Sequence, residues 1–189
     1  MTYHQLGNLE HKRGDHDVSE KWYKKALETK KKLNDEYGAA STYHQLGVIA
    51  HEKMDFSTAK EFYYKALEIK LKYRNERSAA KTYGQCGILS AFENQFVEAA
   101  EWIIKSALTY AKHNDPEGFQ ISIDNLSILY KKTTKTEKEK IQTLIKEAGI
   151  GDSIISLVDQ NLPPLTTAEN SINHHRRHGS PYSESIGDH

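Results

Sequence analysis

Tyr43-His44-Gln45-Leu46-Gly47 occurs three times in this chain, and the recurrence governs how everything around it is read. It returns letter for letter as Tyr3-His4-Gln5-Leu6-Gly7 and, altered, as Tyr83-Gly84-Gln85-Cys86-Gly87. The copies stand about forty residues apart, a period that signals a repeat array. The intervening segments repeat too: Tyr23-Lys24-Lys25-Ala26-Leu27-Glu28 aligns with Tyr63-Tyr64-Lys65-Ala66-Leu67-Glu68. End to end, the first two units agree at about 18 of 40 positions.

Each unit reads as two antiparallel helices. In the second, helix A runs from about Tyr37 to Lys53, with Ala40, Tyr43, Leu46, Gly47 and Ala50 on one helical face. Asp55 is a fitting N-cap for helix B, which runs to about Tyr73 with Ala59, Phe62, Tyr63, Ala66, Leu67 and Ile69 inward. A glycine inside a helix costs up to about 1 kcal/mol relative to alanine. Its return at Gly7, Gly47 and Gly87 therefore points to close helix contacts. The expected architecture is an all-α, right-handed solenoid of antiparallel helix pairs. Its units are about 1–36, 37–76, 77–114 and a degenerate 115–148, the last opened by Asp115 as N-cap and Pro116 at the first helical position. A short helical extension over 149–162 and a disordered polar tail over 163–189 are expected to follow.

Composition narrows the function. Acidic and basic residues balance at 26 each, so no overall field selects nucleic acid or an anionic membrane. Apolar runs are too short to span a bilayer, and no signal-peptide pattern opens the chain, which leaves a cytoplasmic setting as the default. The single cysteine, Cys86, excludes an internal disulfide framework and stands where Leu6 and Leu46 stand, as an inert core residue.

The units resemble tetratricopeptide repeats over about residues 1–148. The family's aromatic-x2-Leu-Gly-x2-small pattern is matched by Tyr43, Leu46, Gly47 and Ala50, and its Ala-x3-aromatic-x2-Ala pattern by Ala59, Tyr63 and Ala66. The usual repeat has 34 residues; a period near forty without a proline closing helix B implies longer helices. The wording is most similar to repeat arrays at the C-terminal end of bacterial signal-transduction NTPases. No G-x-x-x-x-G-K-[ST] loop is present here, so NTPase chemistry would have to lie outside this chain.

The resemblance implies a protein-interaction scaffold, not an enzyme, without cofactor, nucleic acid or membrane, whose A helices line a concave groove for a peptide or protein partner. The groove residues it implies are His4, Asn8, His11, His44, Gln45, His51, Lys81 and Gln85. A carboxylate-clamping variant of the family is matched at Asn8 and Lys81 and nearly at Gln45. His4 and Gln85 replace two of its charges, which favours a generic polar groove. Histidines seven apart on one helix lie about 10 Å apart along the axis, too far to share one zinc. Duplication explains their recurrence, so no metal site is expected. Only Met1-Thr2 precede Tyr3, so the first helix is expected to lack a cap. Tyr3 and Leu6 would then face outward, which suggests either a fragment of a longer array or self-association through that end.

Overall fold

The computed structural model describes residues 1–149. The expectations for 150–189, the extension and the tail, lie outside the described residues. Eight helices follow one another: α1 (Tyr3–Lys12), α2 (His16–Lys32), α3 (Glu36–Glu52), α4 (Phe56–Lys72), α5 (Glu76–Phe92), α6 (Phe96–Lys112), α7 (Pro116–Lys131) and α8 (Lys135–Glu147). Among the described residues there is no strand, and no helix is long and apolar enough to cross a membrane.

The forty-residue period has a simple construction. Helices α2 to α6 each have 17 residues, and a three-residue link joins each to the next. The middle residue of each link is left-handed: Gly14, Asn34, Met54, Arg74, Asn94 and Asn114. That turn closes the preceding helix by reversed hydrogen bonds, as where Asp35 N–H reaches Lys30 O (2.8 Å) and Asn34 N–H reaches Lys31 O (3.1 Å). The next residue caps the following helix: the side chains of Asp15, Asp35, Asp55, Asn75 and Asp115 each accept an N–H from the first turn. Seventeen plus three, twice over, gives forty.

Helices α1–α2, α3–α4 and α5–α6 form antiparallel pairs, and each pair stacks on the next through α2–α3, α4–α5 and α6–α7. Close approach within a pair needs the recurrent glycines. A Cβ on Gly47 would stand 2.6 Å from two ring carbons of Tyr63, and one on Gly87 would stand 2.6 Å from Ile103 Cγ1. The apolar core is a string of clusters along the stack. One joins α2 to α3 through Tyr23, Leu27, Leu46 and Ile49; the next joins units two and three through Tyr63, Leu67, Tyr83 and Cys86. Burial pushes the Cys86 thiol up to about 12, so it stays protonated and unreactive.

The two ends depart from expectation. Thr2 does cap α1: its hydroxyl accepts Gln5 N–H (3.2 Å) while Gln5 Oε1 accepts Thr2 N–H (2.8 Å). This is a capping box formed by Thr2-x-x-Gln5, so the uncapped start is corrected. Tyr3 is nevertheless exposed and stacks on Trp22, with ring centroids 5.7 Å apart. At the other end α8 packs chiefly against α6 of the preceding pair, placing Ile141 and Ile145 on Ile103, Ile104 and Leu126.

Candidate functional site

The A helices are α1, α3, α5 and α7, and the predicted groove residues sit on the first three. Their environments divide them sharply. His44 is 4% exposed and His51 is 2% exposed. Both lie inside the stack, and the expectation that they face an open groove is corrected.

His44 belongs to a buried polar chain that joins unit two to unit three. The Lys70 ammonium donates to Thr82 Oγ1 (2.7 Å) and to Ser78 O (3.1 Å), and Thr82 Oγ1 lies 3.0 Å from His44 Nδ1. Lysine can only donate, so Thr82 accepts from Lys70 and keeps both a proton and a second lone pair for His44 Nδ1, the direction following the imidazole tautomer. Burial, helped by the charges of Lys70 and Lys81, holds the His44 pKa well below its ordinary value. Burial likewise lowers Lys70 to about 8, with Lys81 adding to the effect. The same chain occurs one unit earlier. Lys30 donates to Thr42 Oγ1 (2.9 Å) and to Gly38 O, and Thr42 Oγ1 meets His4 Nδ1 at 3.2 Å. At the third seam Gly84 and Tyr110 replace the histidine and lysine. Ser106 there bonds Ala80 O (2.8 Å) and Ser122 Oγ (3.1 Å) instead. The recurrent histidines His4 and His44 are thus cement between units. The signal in the sequence was the co-recurrence of lysine and threonine at the same forty-residue offset.

A second set of three positions also runs through the seams, with a different content at each. At the second seam His51 packs against Phe56 and Phe92, with centroids 5.8 and 5.0 Å away. At the first, those positions hold His11, His16 and Glu52. Both imidazole Nε2 atoms approach Glu52 Oε2, at 2.8 Å from His11 and 3.6 Å from His16. At the third they hold Ala91, Phe96 and Lys132. Small Ala91 leaves space: a cavity of about 80 Å³ is lined by Ala91, Phe96 and Lys132 together with Ile88, Phe92, Asn125 and Ile128. Asn125 is buried, and its Oδ1 has no hydrogen-bond partner among the described residues.

The remaining predicted residues fare differently. Asn8 Oδ1 accepts the Tyr23 hydroxyl (2.7 Å), which ties it to its own unit. Gln45 and Gln85 are half-buried and Lys81 is exposed. Gln85 takes only a long contact from the Tyr63 hydroxyl, 3.4 Å. Asn125 stands forty residues after Gln85, in the register of Gln5, Gln45 and Gln85. It completes a series of amides along the A helices that the sequence reading stopped one unit short of. Half-buried or exposed amide and ammonium groups are thus left on α3 and α5, while buried Asn125 on α7 lines the apolar cavity.

The fold and this repeated face define a helical repeat array. Residues 1–72, which span the first two helix pairs, match the family profile described as "Tetratricopeptide repeat". Among solved structures the chain is similar to BtubC (BKLC) from P. vanneervenii, known from a crystal structure, with 20% sequence identity and a TM-score of 0.65. The likeness covers 85% of this chain and 65% of that one, so this chain spans about two-thirds of its length. At that identity the likeness is one of fold. No curated protein matches the sequence.

Proposed function

We propose that this array binds a peptide or an extended segment of a partner protein along the A-helix face of its second to fourth units. The observation that carries the reading is Asn125 Oδ1, an unpartnered acceptor in the wall of an apolar cavity. A buried acceptor left without a donor costs about 1–3 kcal/mol. A peptide N–H supplied to Asn125 would recover that cost while an apolar side chain fills the space between Ile88, Phe92 and Ile128. Gln45, Gln85 and Lys81 would then meet main-chain groups further along the ligand. Affinity would come from one apolar anchor with a polar rim.

Selection of peptides from a random displayed library on the intact protein, followed by titration of the best binder, tests this. Asn125→Leu fills the cavity and removes the acceptor. It should weaken binding at least tenfold, about 1.4 kcal/mol, with the helical circular-dichroism signal unchanged. Lys81→Ala with Gln85→Ala should weaken it further. A selected peptide that binds all variants equally, or a library that yields none, rejects this face.

A further inference from the structure

We infer that the first seam is a binding site for a zinc-type divalent cation, with His11 Nε2, His16 Nε2 and Glu52 Oε2 as ligands. The ligand atoms of the three residues all lie within 4.8 Å of one another. Zinc takes imidazole nitrogen and carboxylate oxygen at about 2.0–2.2 Å, so tetrahedral ligands stand about 3.3–3.5 Å apart. The observed separations from Glu52 Oε2, 2.8 and 3.6 Å, bracket that edge. Two imidazoles and one carboxylate leave a fourth position for water.

The three ligands come from three helices. His11 lies in the last turn of α1, His16 opens α2, and Glu52 is the last residue of α3. No spacing on a single helix brings them together, which is why the distance argument for His4 and His11, or for His44 and His51, does not apply. Duplication does not explain them either. The equivalent positions at the next seam are His51, Phe56 and Phe92, an aromatic packing cluster; at the one after they are Ala91, Phe96 and Lys132. Only His11 has a histidine counterpart. At the first seam alone, all three positions carry groups that ligate metals.

The setting suits a cation. The Glu52 side chain is 7% exposed, while those of His11 and His16 are 25% and 29% exposed, so the carboxylate is fixed within the seam and the imidazoles border solvent. Glu52 and His11 both sit at helix C-termini, where the backbone carbonyls carry partial negative charge. A carboxylate is disfavoured there, and a bound cation offsets the repulsion. The adjacent Lys53 ammonium is occupied by Asp17 and Glu20, both at 2.8 Å. Arg13 is held by Glu10 at 2.9 Å. On binding, each neutral imidazole would carry its proton on Nδ1 and present the Nε2 lone pair. The ion would then pin α1 and α2 of the first unit to α3 of the second.

The test is titration of the metal-stripped full chain with Co(II), read by visible absorption, and with Zn(II), read by calorimetry and by the shift of the melting temperature. The expected result is one site per chain with the absorption of a low-coordinate cobalt and a higher melting temperature in Zn(II). His16→Phe, which installs the residue of the second seam, and Glu52→Gln should each weaken binding at least tenfold. Each variant is compared with its own metal-free form, so a loss of intrinsic stability does not mimic a loss of site. His174→Gln with His175→Gln and His178→Gln serves as the control for the histidine-rich C-terminal run, and it should keep the site. Cobalt absorption unchanged in both seam variants, absorption lost in the control, or no binding at all overturns the assignment.

Discussion

Gly47→Ala and Gly84→Ala exchange the same two residue types inside neighbouring A helices, yet they should change stability in opposite directions. At Gly47 the new methyl would stand 2.6 Å from Tyr63 Cδ1 and Cε1. Carbon atoms rest at about 3.5–4.0 Å, so ring and helix must separate by about 1 Å. The ring cannot yield easily: Tyr63 is 0% exposed, set between α3 and α5, and its hydroxyl points to Gln85. Such overpacking costs about 1–3 kcal/mol, against which alanine recovers at most about 1 kcal/mol of helix propensity. A net loss of about 0–2 kcal/mol follows. At Gly84 the nearest atom is Ser106 Oγ at 3.5 Å, an ordinary contact. Only the propensity acts there, so Gly84→Ala should gain about 0.5–1 kcal/mol. Urea unfolding followed by circular dichroism, with hydrogen exchange to localise the change, measures both. Each kcal/mol should move the melting temperature by about 2–4 °C at this chain length. Equal stability of the two variants, or a stabilised Gly47→Ala, would refute the assigned contact between Gly47 and Tyr63.

Other consequences can be checked in the same way. Lys70 titrates at about 8 when folded against 10.5 in the unfolded chain, so above pH 8 the unfolded state holds more protons and its share of stability rises with pH, by at most about 3 kcal/mol. Cys86, raised from 9.0 to about 12, acts the other way above pH 9, so the test is the difference between wild type and Lys70→Met across that range; a difference that does not change with pH rejects the buried ammonium. Thr2→Ala removes the acceptor for Gln5 N–H and should cost about 1 kcal/mol, seen as faster hydrogen exchange in α1 and not in α5; uniform exchange would show that the box does not hold the helix.

The parts of the molecule legible in the sequence are those written within one helix or one turn. Tyr43-x2-Leu46-Gly47 located helix A, Ala59-x3-Tyr63-x2-Ala66 located helix B, and Asp115-Pro116 placed the start of α7. Helix length was legible in the period itself. The parts that escaped depend on partners far along the chain. His44 reads as a groove residue until Thr82, 38 residues later, and Lys70, on the neighbouring helix, are brought against it. His11 reads as a groove residue until Glu52 arrives from the next unit. Thr2 differs: its capping box with Gln5 lies within four consecutive letters and is legible without any long-range partner. Asn125 escaped because asparagine replaced glutamine in an otherwise regular series.

The buried lysine–threonine–histidine chains also restrict how such an array can lengthen. Unequal recombination between copies inserts whole units, and each insertion creates a junction whose halves come from existing residues. Unit two carries both halves: Thr42 receives from the unit before it, while His44 and Lys70 reach toward the unit after it. A tandem copy of unit two would therefore meet itself with every member of the chain supplied. Unit three has Thr82 to receive but Gly84 and Tyr110 where the donating residues should be. A copy of unit two inserted behind it would bury Thr42 with neither a lysine nor a histidine to meet it. Duplication of unit two thus keeps the lysine–threonine–histidine chain at its new junction, whereas insertion of that unit behind unit three leaves the chain incomplete.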